Sequence, residues 1–240
     1  LPFAILGAIG VAALCGLWNG VLVAKVGMQP IIATLILMVA GRGIAQLITD
    51  GQIITIYYQP YFFIGGGYLL GLPFSLFVWV GVLALLAGLL YKTPLGVFVQ
   101  AVGVNPAAAR VAGIRARQLT TAAYVFCGFC AGVAGLLISS NVKSADGNNA
   151  GQLMELDAIL AVTLGGTSLL GGRFCLLGTL IGALIIQTLT YAIYSLGVPP
   201  EINLVVKAAV VFVVMLLQSP EFRAQVWALA RRPSVPGGAA

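Results

Sequence analysis

The chain has no histidine and only six acidic residues among 240. The first absence removes the commonest general base and the commonest metal ligand. The acids cluster at the external ends of the apolar runs, so no pair sits where an intramembrane aspartyl protease needs one. No G-x-x-x-x-G-K-[ST] occurs, which excludes a phosphate-binding loop of the chain's own. Charge of either sign is scarce, at 8% of residues, against roughly a quarter in a soluble globule. That scarcity excludes a water-soluble domain of this size. The four cysteines, Cys15, Cys127, Cys130 and Cys175, all fall inside apolar stretches, where they read as small packing residues and not as a disulfide framework. Cys127 and Cys130 have a thioredoxin-like spacing, but an apolar span without a βαβ context does not support redox chemistry. The chain starts without an initiator Met, a basic n-region or a small-residue cleavage site, so its first apolar run does not read as a signal peptide. It reads as a piece of something longer.

What is present is apolar bulk. The residues are 60% hydrophobic, mean hydropathy is +1.07, and several runs approach the ~20 residues that cross a hydrocarbon core as helix. The class is all-α, a polytopic transmembrane helical bundle. The 31 glycines agree with this, because glycine lets membrane helices approach closely. Gly16 with Gly20, and Gly128 with Gly132 and Gly135, read as packing faces.

Candidate spans fall near 3–24, 30–49, 74–91, 118–140, 156–172, 175–195 and 202–218. Residues 1–218 read as one transmembrane domain and 219–240 as a tail. The fifth span, DAILAVTLGGTSLLGG, is short and interrupted by glycine, so a broken or re-entrant helix is an open alternative to a crossing. If all seven cross, one side receives Lys25, Lys92, Arg110, Arg115, Arg117, Arg173, Arg223, Arg231 and Arg232 against Glu221 alone. The other receives Asp50, Asp146, Glu155, Asp157 and Glu201 against Lys143 alone. The positive-inside rule places the basic side, with the tail, in the cytoplasm and Leu1 outside. If the intact N-terminus is cytoplasmic, an odd number of preceding spans is then expected. The net charge of +6 needs no nucleic acid to explain it.

The most basic loop, residues 92–117, contains GVNPAAARVAGI, a short helix with every mark of a rigid soluble element. Asn105 is placed to cap it, Pro106 suits its first turn, and Gly113 can close its far end. Two readings are equally open from the residues alone: a helix resting on anionic headgroups, or a knob that docks on a soluble partner.

That segment, continued by RARQLTTAAYVFCGFCAGVAGLL, resembles the cytoplasmic coupling segment of the ribose/galactose/arabinose-type permeases of bacterial ABC importers, with the pattern G-x-N-x-x-A-A-x-x-x-G-[IV]. ELDAILAVTLGGTSLLGGR (155–173), PPEINLVVKAAVVFVVMLLQ (199–218) and GLWNGVLVAKVGMQPIIATLILMVAGRGIAQLI (16–48) resemble further stretches of the same family. SADGNNAG (144–151), residues 33–52 and PPEIN look like its galactofuranose-type branch in enteric bacteria. The family's early G-G-I-D-L-S-V-G-like motif is absent here, and three further spans would restore its usual ten.

The resemblance implies an inner-membrane permease subunit that imports a monosaccharide, galactofuranose-like, into the cytoplasm. It implies a second permease, a paralogue, a cytoplasmic ABC ATPase and a periplasmic sugar-binding protein as partners, within membrane lipid. The chain itself is expected to bind no cofactor and no metal; ATP and Mg belong to the ATPase. Asn105, Pro106, Ala108, Ala109, Arg110, Gly113 and Ile114 become the coupling interface.

Pathway candidates are weighed against simpler roles. Arg42, at mid-span, must face protein or water and have a partner; pairing with a carbonyl or a group in preceding spans competes with substrate contact. Lys207 can snorkel or approach Glu201. Gly165, Gly166, Thr167 and Ser168 mark the helix break. Asp146, Asn148, Asn149, Gln152 and Glu155 either form a solvated loop or line an outer mouth with groups that hydrogen-bond sugar hydroxyls. Trp18 and Asn19 join these candidates, though a Trp within a span more often packs. The competing class is an ATP-independent secondary transporter or channel for a small polar solute, which would place ionisable residues along an ion route. A third reading is a non-transporting scaffold.

Overall fold

A computed structural model describes residues 2–168 and 171–197, together with 205, 206, 208, 209, 212 and 213. The predicted seventh span, Glu201, Lys207 and the tail at 219–240 lie outside the described residues, apart from those few positions.

The described helices are α1 (Pro2–Val21), α2 (Pro30–Thr49), α3 (Gln59–Gly66), α4 (Phe74–Tyr91), α5 (Leu95–Val104), α6 (Pro106–Val111), α7 (Ala116–Val142), α8 (Met154–Leu164) and α9 (Leu176–Ser195). A π-helical turn, Leu22–Val26, prolongs α1 and ends at Gly27, whose φ is 82°. Among the described residues, five helices are long and apolar enough to cross a membrane: α1 with its π-turn, α2, α4, α7 and α9. Predicted spans 30–49 and 74–91 coincide with α2 and α4. Large apolar side chains such as Phe3, Val39, Leu47 and Tyr91 point outward, as expected of helices whose solvent is lipid or a neighbouring polypeptide.

The chain divides into two compact units: one contains residues up to 152 together with 171–173, the other 153–168 and the residues from 174 onward. In the first, α1 and α7 form an antiparallel seam set by glycine. A β-carbon on Gly16 would lie 2.3 Å from the Tyr124 carbonyl oxygen, one on Gly20 2.9 Å from Thr121 Cα, and one on Gly128 2.4 Å from the Ala12 carbonyl oxygen. Thr121 Oγ1 donates across the seam to the Gly20 carbonyl at 3.3 Å. Gly132 abuts Ala12, whereas Gly135 has open space beside it and does not belong to the predicted face.

Helix α3 is pinned across the far end of α7. The Ser140 hydroxyl, 1% exposed, donates to the Tyr61 carbonyl at 2.6 Å and accepts the Gly65 N–H at 2.8 Å. These are two groups that a helix would otherwise join directly. Tyr61 OH donates to the Leu136 carbonyl at 3.2 Å. Two short antiparallel pairings complete this end: β1 (Ile54–Thr55) with β4 (Ser144–Ala145), and β2 (Tyr68–Leu69) with β3 (Leu72–Pro73). Both residues of the β2–β3 turn, Leu70 and Gly71, have positive φ, the backbone a two-residue hairpin favours.

In the second unit, α8 and α9 form an antiparallel hairpin. Gly165 lies against Gly178 and Thr179, and Ala161 against Gly182. With 11 residues, α8 is about 16 Å long, half of a ~30 Å hydrocarbon core. It stops at Gly165 and Gly166, so 156–172 is not one continuous span. The broken-helix alternative is the one the structure contains.

Candidate functional site

The coupling loop is more ordered than its sequence suggests. It carries α5 as well as α6, with Gly96 in the first turn of α5 packed against the end of α4, where a β-carbon would lie 2.1 Å from the Leu90 carbonyl oxygen. Asn105 Oδ1 accepts the N–H groups of Ala107 (3.0 Å) and Ala108 (3.1 Å), and Pro106 occupies the first turn. At the other end Gly113, with φ of 85°, donates to the Arg110 carbonyl while Ile114 N–H donates to that of Ala109, both at 3.0 Å. That bond pair is a Schellman closure. A six-residue helix has little stability of its own; here both ends are satisfied, so it keeps its shape.

The seven predicted coupling residues divide by direction. Ala109 is 4% exposed and Ile114 half-buried, anchoring the helix inward. Asn105, Pro106, Ala108, Arg110 and Gly113 are exposed. Val111, absent from the predicted set, is exposed beside Arg110. This valine leaves an apolar side chain on the outer face of a capped helix. The motif hides it at an unspecified position. Within the same unit, Gly103 meets the 171–173 turn backbone to backbone: its β-carbon would lie 2.8 Å from Gly172 N.

At the opposite end of α7 the polar loop is a tied structure. Asp146 Oδ1 accepts the backbone N–H groups of Asn148 (2.8 Å) and Asn149 (3.2 Å), and its Oδ2 accepts Asn149 Nδ2 at 3.0 Å. The Asn148 N–H, and then the Asn149 amide, hold the Asp146 carboxyl below its usual range, against a smaller opposing effect of desolvation. Asn148 then bridges to the end of α2, accepting Gln46 Nε2 at 2.8 Å and donating to the Gly51 carbonyl at 2.9 Å. The structure therefore gathers Asp146, Asn148 and Asn149 and adds Gln46, which sequence reasoning missed because its partner lies about a hundred residues away. Gln152 is exposed, its N–H donating to the Asn149 carbonyl at 3.2 Å. Glu155 is exposed in the first turn of α8, where a carboxylate suits the helix dipole.

The helix break is organised by Thr167. Its hydroxyl lies 3.2 Å from that of Thr179 and accepts the Cys175 N–H at 3.1 Å. Gly165 supplies close packing, Gly166 the left-handed turn with φ of 78°, and Ser168 is exposed. Trp18 is 60% exposed. Asn19 beside it is 8% exposed, with Oδ1 buried and unpartnered among the described residues. Arg42 is half-buried on α2; the partner expected for it is not among the described residues.

Membrane-length helices, a broken hairpin, a tied polar loop at one end of α7 and a rigid exposed helix at the other define a multi-pass membrane protein. The chain belongs to the family described as branched-chain amino acid transport system, permease component, which matches residues 1–215. It is 51% identical over 222 residues to the galactofuranose transporter permease protein YtfT of Escherichia coli K12, covering 92% of this chain and 65% of that protein. It is 40% identical over 222 residues to the fructose import permease protein FruF of Bifidobacterium longum, covering 90% and 62%. It is 43% identical over 201 residues to the ribose import permease protein RbsC of Bacillus subtilis, covering 83% and 62%. The chain thus spans less than two thirds of the length of these relatives. No solved structure matches it.

Proposed function

We propose that the intact protein is the membrane-spanning subunit of an ATP-driven sugar importer, carrying a galactofuranose-like monosaccharide from periplasm to cytoplasm. The observation that carries this reading is the doubly capped α6. A helix this short, closed at both ends and presenting Arg110 and Val111 outward, is built to receive a push without fraying. The 51% identity to a galactofuranose permease over nearly the whole chain supports the substrate class.

In this reading the described residues do three things. Alternating closure of partner ATPases, where ATP and Mg reside, moves α6 through contacts to Asn105, Pro106, Ala108, Arg110, Val111 and Gly113. Ala109 and Ile114 pass that movement to the bundle. At the outer end, the tied loop of Asp146, Asn148 and Asn149 gives a periplasmic sugar-binding protein a firm seat, with Gln152 exposed beside it. Asn19 and Arg42 offer hydrogen-bonding groups to a polyhydroxylated solute, at a depth where unpartnered polar groups are costly unless used. A second permease, a paralogue, completes the path, and the coupling loop and C-terminus face the cytoplasm of a bacterial inner membrane.

The test is recovery of the tagged intact protein in mild detergent, with identification of what remains bound. A soluble ATPase and a second permease are expected. Recovery without an ATPase, under conditions that preserve membrane complexes, would support the ATP-independent transporter instead.

A further inference from the structure

Along the α1–α7 seam runs an open groove of about 1060 Å³ that none of the roles above uses. Lys25, on the π-turn after α1, and Arg117 with Gln118, at the start of α7, line one end; Val125, Phe126 and Phe129 line the other. No acidic residue lines the groove, and among the described residues neither cation has an ion-pair partner. The α7 lining residues recur every three to four positions and so share one helix face.

The dimensions and polarity fit one ligand. From Arg117 to Phe129 α7 rises about 18 Å, close to the ~15 Å depth of one hydrocarbon leaflet. The seam is antiparallel, with Gly20 against Thr121, so Lys25 lies toward the Arg117 end. Both cations fall on the basic side of the chain, at the boundary where headgroups sit. A lipid phosphate supplies the countercharge, and one acyl chain fills the apolar length.

We propose that this groove is a binding site for a single anionic phospholipid of the leaflet facing the coupling segment. Lys25 and Arg117 hold its phosphate, Gln118 bonds its polar backbone, and Val125, Phe126 and Phe129 pack one acyl chain. The proposal rests on membrane orientation alone and stands or falls separately from the transport reading.

The test uses the intact protein, delipidated in mild detergent and offered equal amounts of phosphatidylglycerol and phosphatidylcholine with identical chains, with bound lipid counted by native mass spectrometry. One phosphatidylglycerol is expected to be retained in preference. Each basic residue near an anionic headgroup contributes about fivefold to affinity, so Lys25→Gln with Arg117→Gln lowers it about thirtyfold. Lys25→Arg with Arg117→Lys keeps the preference, which separates charge loss from misfolding. A photoreactive side chain at position 126 in native membranes should capture lipid. Equal binding of the two lipids by the unaltered protein, an undiminished preference in the Gln pair, or capture of a polypeptide at position 126 overturns the proposal.

Discussion

Ser140→Ala should loosen α3 by an amount that follows from two bonds. The hydroxyl donates to the Tyr61 carbonyl at 2.6 Å and accepts from Gly65 N–H at 2.8 Å, and is sealed from solvent at 1% exposure. Its removal leaves a buried donor and a buried acceptor without that partner, at about 1–3 kcal/mol each. They stand four residues apart on one helix, so they can recover part of the loss by bonding to each other. That leaves a net cost of about 2 kcal/mol, or about thirtyfold in the local opening equilibrium. Hydrogen exchange at the Gly65 amide in the reconstituted protein reads this directly. Ser139→Ala, which removes a bond to the Ser144 carbonyl, serves as the control and should leave Gly65 unchanged. Exchange at Gly65 that stays within threefold of the unaltered protein in Ser140→Ala would refute the reasoning.

Gly16→Leu or Gly128→Leu should force α1 from α7, because even a β-carbon would meet backbone oxygens at 2.3 and 2.4 Å. A cost of about 1–3 kcal/mol or more is expected in denaturant titrations in mixed micelles, while Gly135→Leu, with open space beside it, should be tolerated. Asp146 has a lowered pKa, so its tie to Asn148 and Asn149 is fully present above the ordinary carboxylate pKa of about 3.9 and is lost as pH falls through the lower folded value. Amide exchange of residues 148 and 149 should rise across that acid window and should already be raised at neutral pH in Asp146→Ala. Asn105→Ala removes the α6 cap, costing about 1 kcal/mol, and is expected to reduce uptake while α7 keeps its helicity by circular dichroism.

Much of this architecture is legible in the residues. The boundaries of α2 and α4 follow from the length of apolar runs, the closure of α6 from Asn105, Pro106 and Gly113, and the two packing faces of the α1–α7 seam, though not their pairing, from glycines at helical spacing. The break after Leu164 is visible because two glycines interrupt an apolar run too short to cross. What stayed hidden has a common cause. In a chain that is 60% hydrophobic, an apolar helix is surrounded by apolar neighbours, and α3 and α5 carry no contrast of faces to mark them. The Gln46–Asn148 bridge, the β1–β4 pairing and the Ser140 insertion depend on partners far apart in the chain, and no local pattern encodes them. Gly135 shows the converse: it matches the spacing of Gly128 and Gly132 but lies beyond the region where α1 approaches.

The most direct measurement is ATP hydrolysis and sugar uptake, recorded together in proteoliposomes of the complete transporter with Arg110→Glu in the intact permease. The Arg110 side chain is exposed at the outer face of α6 and makes no hydrogen bond or ion pair among the described residues, so membrane insertion should be unaffected. Loss of uptake, with hydrolysis persisting or the ATPase no longer bound, is the expected result. Uptake and hydrolysis at unaltered rates would contradict the assignment of α6 as the point where the energy of ATP enters this protein.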